Sequence, residues 1–245
     1  MHGMVGRTMP SARKVIVTDA LLVRAVAFGE SDVIATFFTE SDGKISAMVR
    51  GARKPSKRLE GVLEPFHTLS LRLEDRGKEL CVLKEARLVR VRTTIATHLS
   101  ALDTAGKALR WARHVCPPRT QETRAWEIVT HLLNELDRSP AGVTDAMLAK
   151  TGLELLSAVG YELDFARCTS CGKECPEERN AMFDAGLGGL VCLGCGGGTR
   201  VLSPRLRQLA RAITGPIPPQ IAPEDASALV TIVEETLAAH ANFQS

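Results

Sequence analysis

The hydrophobic period of this chain changes once, near residue 92, and that change limits what it can fold into. Before it, apolar and polar residues alternate at the period of a strand, whose successive side chains point to opposite faces. The clearest case is HTLSLRLE, residues 67–74. Leu69, Leu71 and Leu73 fall on one face, and Thr68, Ser70, Arg72 and Glu74 on the other. KVIVTDALLVRAV, from Lys14, reads as an earlier strand. DVIATFFTE and KISAMVRGA flank the turn Ser41-Asp42-Gly43 and read as a hairpin. Asp75-Arg76-Gly77 then turns the chain into ELCVLKEARLVRVR, a long last strand. Five strands with short turns fit a closed Greek-key barrel such as an OB-fold over residues 14–92; a small SH3-like barrel is the alternative. Residues 1–13 lack the apolar region of a secretory signal and read as a disordered leader, with Met4 or Met9 equally able to be the native start.

Past Arg92 the period becomes helical. Ile95, Leu99, Leu102, Leu109 and Ala112 recur at helical spacing until Pro117-Pro118, and Trp126, Val129, Leu132, Leu133 and Leu136 form a second stripe stopped by Pro140. A third helix is expected over about 144–159, with Gly160 at its C′ position. Ser203-Pro204 supplies an N-cap and an N1 proline for a fourth, and a last helix runs over about 223–241. These stripes are assigned to the core. The chain is therefore read as multi-domain α+β: the five-stranded barrel, then an all-helical domain over 93–245 interrupted by a cysteine-rich insertion at about 166–200.

The insertion holds two C-x-x-C pairs, Cys168/Cys171 and Cys192/Cys195, separated by 20 residues. Two residues between cysteines let both sulfurs of a knuckle face one centre, and two knuckles place four thiolates about 2.3 Å from a zinc ion. Gly172, Gly194 and Gly196 fit this, because knuckle backbones need unusual dihedrals. Four thiolates would close the shell, whereas catalytic zinc keeps a position open for water. No histidine lies between His131 and His240 to build a mixed site. One structural Zn2+ per chain, folding an insertion too short for its own core, is the expected use. Some of these cysteines being plain free thiols is the plainer reading. Cys175 could replace Cys171 as a ligand, or do nothing, which is the preferred reading.

The charge is unevenly spread. Of 31 Lys and Arg residues 17 lie at or before Arg92, against 11 of 28 acidic residues, so the basic half faces a polyanion or is simply a solvated surface. Arg50, Arg53, Lys54, Lys57 and Arg58 fall within nine positions, VRGARKPSKRLEG, with Gly51 and Pro55 preventing a long helix. Beside a barrel, such a loop suits a phosphate backbone; Lys14, Arg24 and Lys44 are weaker candidates. Base stacking has few rings to draw on. The barrel region holds Phe28, Phe37, Phe38 and Phe66, and alternation puts Phe37 and Phe38 on opposite faces, one in the core and one able to be exposed. Phosphate contact must then dominate, with weak sequence preference and steep salt dependence. A nucleotide-hydrolysis loop and a nucleophile elbow are both absent from the sequence. No apolar run of membrane-spanning length and no secretory signal occur, so the protein is expected to be cytoplasmic, where thiols stay reduced, and nucleoid-associated if its polyanion is DNA.

Taken in order, FGESDVIATFFTESDGKISAMVRGARKPSKRLEGVLEPF (28–66) and YELDFARCTSCGKECPEERNAMFDAGLGGLVCLGC (161–195) resemble the bacterial RecO family of recombination and DNA-repair mediators. The resemblance covers nearly the whole chain; the longer leader and Cys175 depart from it, and some family members lack the zinc cysteines. It implies an OB-fold, a helical C-terminal domain and no enzymatic turnover. It also implies binding of single- and double-stranded DNA, annealing of complementary strands, and work with RecR to load RecA onto strands covered by SSB. Docking of the acidic SSB tail would suit a basic-rimmed apolar groove on the helical domain. Two other classes compete. One is an OB-fold and zinc-ribbon protein associated with RNA or the ribosome, which a preference for structured RNA would reveal. The other is a thiol oxidoreductase using Cys168 and Cys171, which one zinc per chain would exclude.

Overall fold

Strand pairing in the first ninety residues follows from one unusually long element. The computed structural model describes residues 13–54, 61–142 and 145–240. β1 (Lys14–Phe28) is long enough to serve two partners. Its first half, Lys14 to Leu21, pairs antiparallel with β4 (Thr68–Asp75), and its second half, Ala20 to Phe28, with β2 (Asp32–Thr39). The register shifts between Leu22 and Arg24, where the strand bends from one partner to the other. β2 continues antiparallel to β3 (Gly43–Val49), which meets β5 (Cys81–Arg90) in parallel, and β5 returns antiparallel to β4. The order β1-β2-β3-β5-β4 closes into a barrel.

Alternation fills its interior. Ile16, Ala20, Leu22, Phe37, Ile45, Val49, Leu69, Leu71 and Leu73 form one buried cluster. Each fully buried Leu, Ile or Phe contributes about 1.5–3 kcal/mol from leaving water. The predicted split of Phe37 and Phe38 does not hold: both are fully buried, Phe37 inside the barrel cluster and Phe38 outside it. Alternation does put them on opposite faces, but Phe38's face of β2 is also withdrawn from solvent. The exposed barrel phenylalanine is Phe28, 52% accessible at the end of β1.

The described residues divide into two compact units between Val91 and Arg92. In the second, α1 (Leu99–Val115), α2 (Thr123–Arg138), α3 (Asp145–Ala158) and α5 (Pro223–His240) surround a common core, with α3 packed against the other three. Gly152 lets α3 and α5 approach: a Cβ there would lie 2.7 Å from Val233 Cγ1 and 2.8 Å from Trp111 Cζ3. The stripe expected on α1 is partly wrong. Leu99 and Leu102 are exposed, at 83% and 38%, while Ala101, Thr104, Ala105, Ala108, Leu109, Trp111 and Ala112 are buried. Small side chains permit the close contact that the core demands, so the helix turns its alanines inward.

Between α3 and α4 (Pro204–Ala212) lies a four-stranded sheet that strand patterning did not foresee: β6 (Asp164–Cys168), β7 (Ala181–Asp184), β8 (Gly189–Leu190) and β9 (Arg200–Leu202), in the order β6-β8-β7-β9. Phe165 and Phe183 stack across it with ring centres 5.8 Å apart. Ser203 caps α4, its hydroxyl accepting from the Leu206 amide at 3.2 Å.

Candidate metal centre and nucleic-acid interface

β6 ends on Cys168 and at once reverses. The Gly172 amide donates to the Cys168 carbonyl at 2.8 Å, and the Cys168 amide to the Lys173 carbonyl at 2.8 Å. The second knuckle repeats the device, with the Cys195 and Gly197 amides donating to the Cys192 carbonyl at 2.9 and 3.1 Å. Gly172 (φ +72) and Gly196 (φ +104) take the left-handed backbone expected of them. Gly194 does not: it lies in a 3₁₀ turn, and Gly197 (φ +73) carries the second left-handed turn.

These reversals bring the sulfurs of Cys168, Cys171, Cys192 and Cys195 within 4.8 Å of one another. Cys171 Sγ and Cys192 Sγ are 3.8 Å apart, close to the edge of about 3.8 Å of a tetrahedron with metal–sulfur bonds of about 2.3 Å. The donor set therefore fits a tetrahedral thiolate-bound cation such as zinc. The electrostatics point the same way. The Cys192 amide beside the Cys168 sulfur (3.3 Å), helped by those of Cys171 and Ser170, lowers the Cys168 thiol to about 6. Cys195, ringed by the thiols of Cys192, Cys171 and Cys168, is pushed up to about 12. Four thiols this close cannot all ionise without a cation between them. Cys175 stands outside the group, and burial raises its thiol.

One residue missed by the sequence reading holds this module to the helices. Arg207 on α4 is 2% exposed, and its guanidinium donates to the carbonyls of Phe165 (3.3 Å), Pro176 (2.7 Å), Arg179 (2.9 Å) and Cys175 (2.8 Å). It is a buried cation satisfied by carbonyl dipoles, and no periodicity in the sequence marks it.

The basic segment leaves β3 at Arg50. Gly51 (φ +66) turns the chain, and its amide donates to Asp32 Oδ1 at 2.8 Å. The Arg53 amide donates to the Ser31 carbonyl at 3.0 Å, and Arg53 Nη1 to the Gly29 carbonyl at 3.4 Å. The loop is thereby tied to the β1–β2 turn, next in sequence to exposed Phe28. Arg50, Arg53 and Lys54 are exposed, and among the described residues none of them forms an ion pair. Lys57 and Arg58 lie outside the described residues. Arg24 is exposed on the same half of β1, whereas Lys14 sits at the opposite end of that strand. Lys44 is half-buried and partnered, so it is not brought into the exposed group.

Two family models match the chain, Recombination protein O N terminal over residues 14–92 and Recombination protein O C terminal over residues 92–243. Among curated relatives, a DNA repair protein RecO from Anaeromyxobacter sp. (strain K) is 33% identical over 230 residues, 89% of each chain. One from Geobacter sulfurreducens is 34% identical over 179 residues, 73% of this chain and 72% of its own. One from Myxococcus xanthus is 30% identical over 210 residues, 83% and 84% of the two chains. Among the described residues no helix is long and apolar enough to cross a membrane.

Proposed function

Because the chain belongs to the recombination protein O family, we propose that it is a non-enzymatic DNA-binding mediator of recombinational repair. It binds single- and double-stranded DNA, anneals complementary strands and, with RecR, helps load RecA onto strands covered by SSB. The barrel is an OB-fold in this reading, which the strand order β1-β2-β3-β5-β4 supports.

The observation that carries the proposal is the loop tied to the β1–β2 turn, whose Arg50, Arg53 and Lys54 face solvent without an ion-pair partner among the described residues. Like charges held apart from their own carboxylates repel until a polyanion neutralises them, and each phosphate they contact releases counterions. Lys57 and Arg58 would extend the contact, and Arg24 lies on the adjoining half of β1. Annealing needs such screening, because two strands repel along their whole length. Phe28 offers one ring for stacking, so charge rather than base identity sets affinity.

The four cysteines hold one structural Zn2+ in this reading. Bound there, the metal supplies folding energy to a module too small to make its own core. The acidic SSB tail is assigned to the helical unit. A cavity of about 390 Å³ supports this, with Arg124 and Arg211 among its lining and Leu153, Leu163, Phe165 and Ala210 in its wall. Glu154 and Glu162 share the lining, burial raising the Glu154 carboxyl, and Arg211 pairs with Glu177, so an acidic guest would take Arg211 over from that carboxylate.

Strand annealing with Arg50, Arg53, Lys54, Lys57 and Arg58 all changed to Gln tests the proposal. Annealing should be lost while the far-ultraviolet spectrum and melting temperature stay those of the parent. Unchanged annealing would move the DNA surface elsewhere.

A further inference from the structure

We propose that the outward face of β1, β4 and β5 is a second DNA-binding surface, so that one chain holds two single strands at once. The inference rests on the reading that the barrel binds DNA. It concerns a face whose near edge, Val82, pairs with Met48 just before the loop, and whose Arg87 and Arg90 lie toward the other end of β5.

Register fixes what this face displays. Ile16, Ala20, Leu69, Leu71 and Leu73 point into the barrel, so their neighbours point out. Three rows cross the outside: Asp19, Ser70 and Arg87; Val17, Arg72 and Glu85; Val15, Glu74 and Val82. Arg90 lies opposite Thr68 beyond the first row. The third row is extended by Arg13, Arg76 and Lys84, whose charged ends lie 3.8, 2.5 and 2.9 Å from the Glu74 carboxylate. Six cations thus stand against three carboxylates, Asp19, Glu74 and Glu85.

The surplus is available to a ligand. Arg72 and Arg90 are exposed and form no ion pair among the described residues. Arg87 pairs with Glu85 at 3.3 Å, yet its side chain remains 80% accessible, and exposed pairs of this kind are held weakly. Arg72 faces Glu85, so Arg87, two residues on, is its diagonal neighbour, about 7–8 Å away. The two arginines can therefore engage different phosphates of one strand.

Charge alone would suit any polyanion; the apolar component narrows the choice. Val15 and Val17 are 50% and 67% accessible. Val17 lines a shallow groove of about 170 Å³ with Ser70, Arg72, Glu85 and Arg87. A single strand presents phosphates and unstacked bases together, and this face offers cations and an apolar strip side by side. A duplex hides its bases and would leave the valines in water.

The separation from the first surface runs along β5 and β1: Val82 pairs with Met48, two residues before Arg50, and Arg87 and Arg90 lie five and eight residues beyond Val82. The face is built on the half of β1 that pairs with β4, and the loop is tied to the turn that ends the other half. Fifteen residues of strand run some 45 Å at about 3.3 Å each, with a bend between the halves. A short strand held at one end leaves the other end free. Two strands held on one barrel are brought close without each having to displace the other.

Native mass spectrometry of the full chain with two non-complementary thymidine-rich and cytidine-rich strands of about six nucleotides, at the short end of the footprint of one barrel, counts strands per chain. The parent should hold two strands, and the triple change Arg72→Gln, Arg87→Gln, Arg90→Gln should hold one. The variant's affinity for a first strand should stay within about twofold, and its annealing rate should fall about tenfold, since some three phosphate contacts vanish. The conservative triple Arg→Lys at these positions should restore the second strand, which separates lost charge from lost fold. A parent that binds one strand only, or a Gln variant that still binds two, overturns the second surface while leaving DNA binding intact. A parent that binds none removes both proposals.

Discussion

The cysteine module and the basic loop each crowd like-charged groups into a short stretch of chain, and they resolve the crowding in opposite ways. In the module the groups converge: four sulfurs lie within 4.8 Å, backbone amides point at Cys168, and Arg207 closes the back with four carbonyls around it. In the loop they diverge: Arg50, Arg53 and Lys54 are exposed, and the hydrogen bonds fix mainly the backbone, with Arg53 Nη1 also reaching the Gly29 carbonyl. A converging cluster needs one ion and then is complete. A diverging cluster is complete only when something large and oppositely charged arrives. In the proposed reading the first is scaffold and the second is working surface.

The sharpest way to break this contrast is to remove the proposed metal. Chelation, or Cys192→Ser, should abolish hydrogen-exchange protection at the β6–β9 sheet, notably at the Thr169 and Val191 amides. Structural zinc sites contribute about 10–16 kcal/mol of apparent binding energy, so the effect should be large. The barrel should keep both its protection and its DNA affinity; a parallel loss there would mean that the module is no mere scaffold. Next in size, Arg207→Met takes the guanidinium from four carbonyls, one of which, that of Pro176, keeps a second donor in the Arg179 amide, and should cost about 3 kcal/mol by urea unfolding, with the metal still bound. Gly152→Ala forces a methyl against Val233 and Trp111. It should lower the helical unit's stability by about 1–2 kcal/mol, after allowing for the better helix propensity of Ala, and leave DNA binding unchanged.

The smallest effect concerns the barrel in acid. Lys84 and Arg76, bonded to its carboxylate, hold Glu74 down from 4.5 to about 2. A carboxyl depressed in the fold stabilises it above its unfolded value, and that contribution fades as pH falls from 4.5 toward 2. Glu74→Gln should therefore flatten the acid limb of the barrel's stability profile across that range, with little change at neutral pH.

How much was legible in the sequence depended on whether period alone decided the outcome. Leu69, Leu71 and Leu73 were readable because a barrel strand has one dry interior and a strict alternation. The clustering of the four cysteines was readable because knuckle spacing is short-range chemistry. Leu99 and Leu102 misled because hydrophobicity ranks leucine above alanine, while close helix packing chose Ala101, Ala105, Ala108 and Ala112. The β6–β9 sheet escaped notice because its strands span only 2 to 5 residues and show no usable period. Arg207 reads as a surface residue until distant carbonyls surround it. The cations of the β1–β4–β5 face are scattered from Arg13 to Arg90 along the chain and meet only through register.

The most direct test of the barrel's role is the salt dependence of its affinity for a single strand, compared between the parent and the form with Arg50, Arg53, Lys54, Lys57 and Arg58 neutralised. If these side chains grip about five phosphates, log affinity should fall with log salt at a slope of roughly −3.5 for a single strand and −4.5 for a duplex. The neutralised form should bind weakly with a much shallower slope. A slope near zero in the parent, or one that survives neutralisation unchanged, would contradict charge-driven binding at the loop.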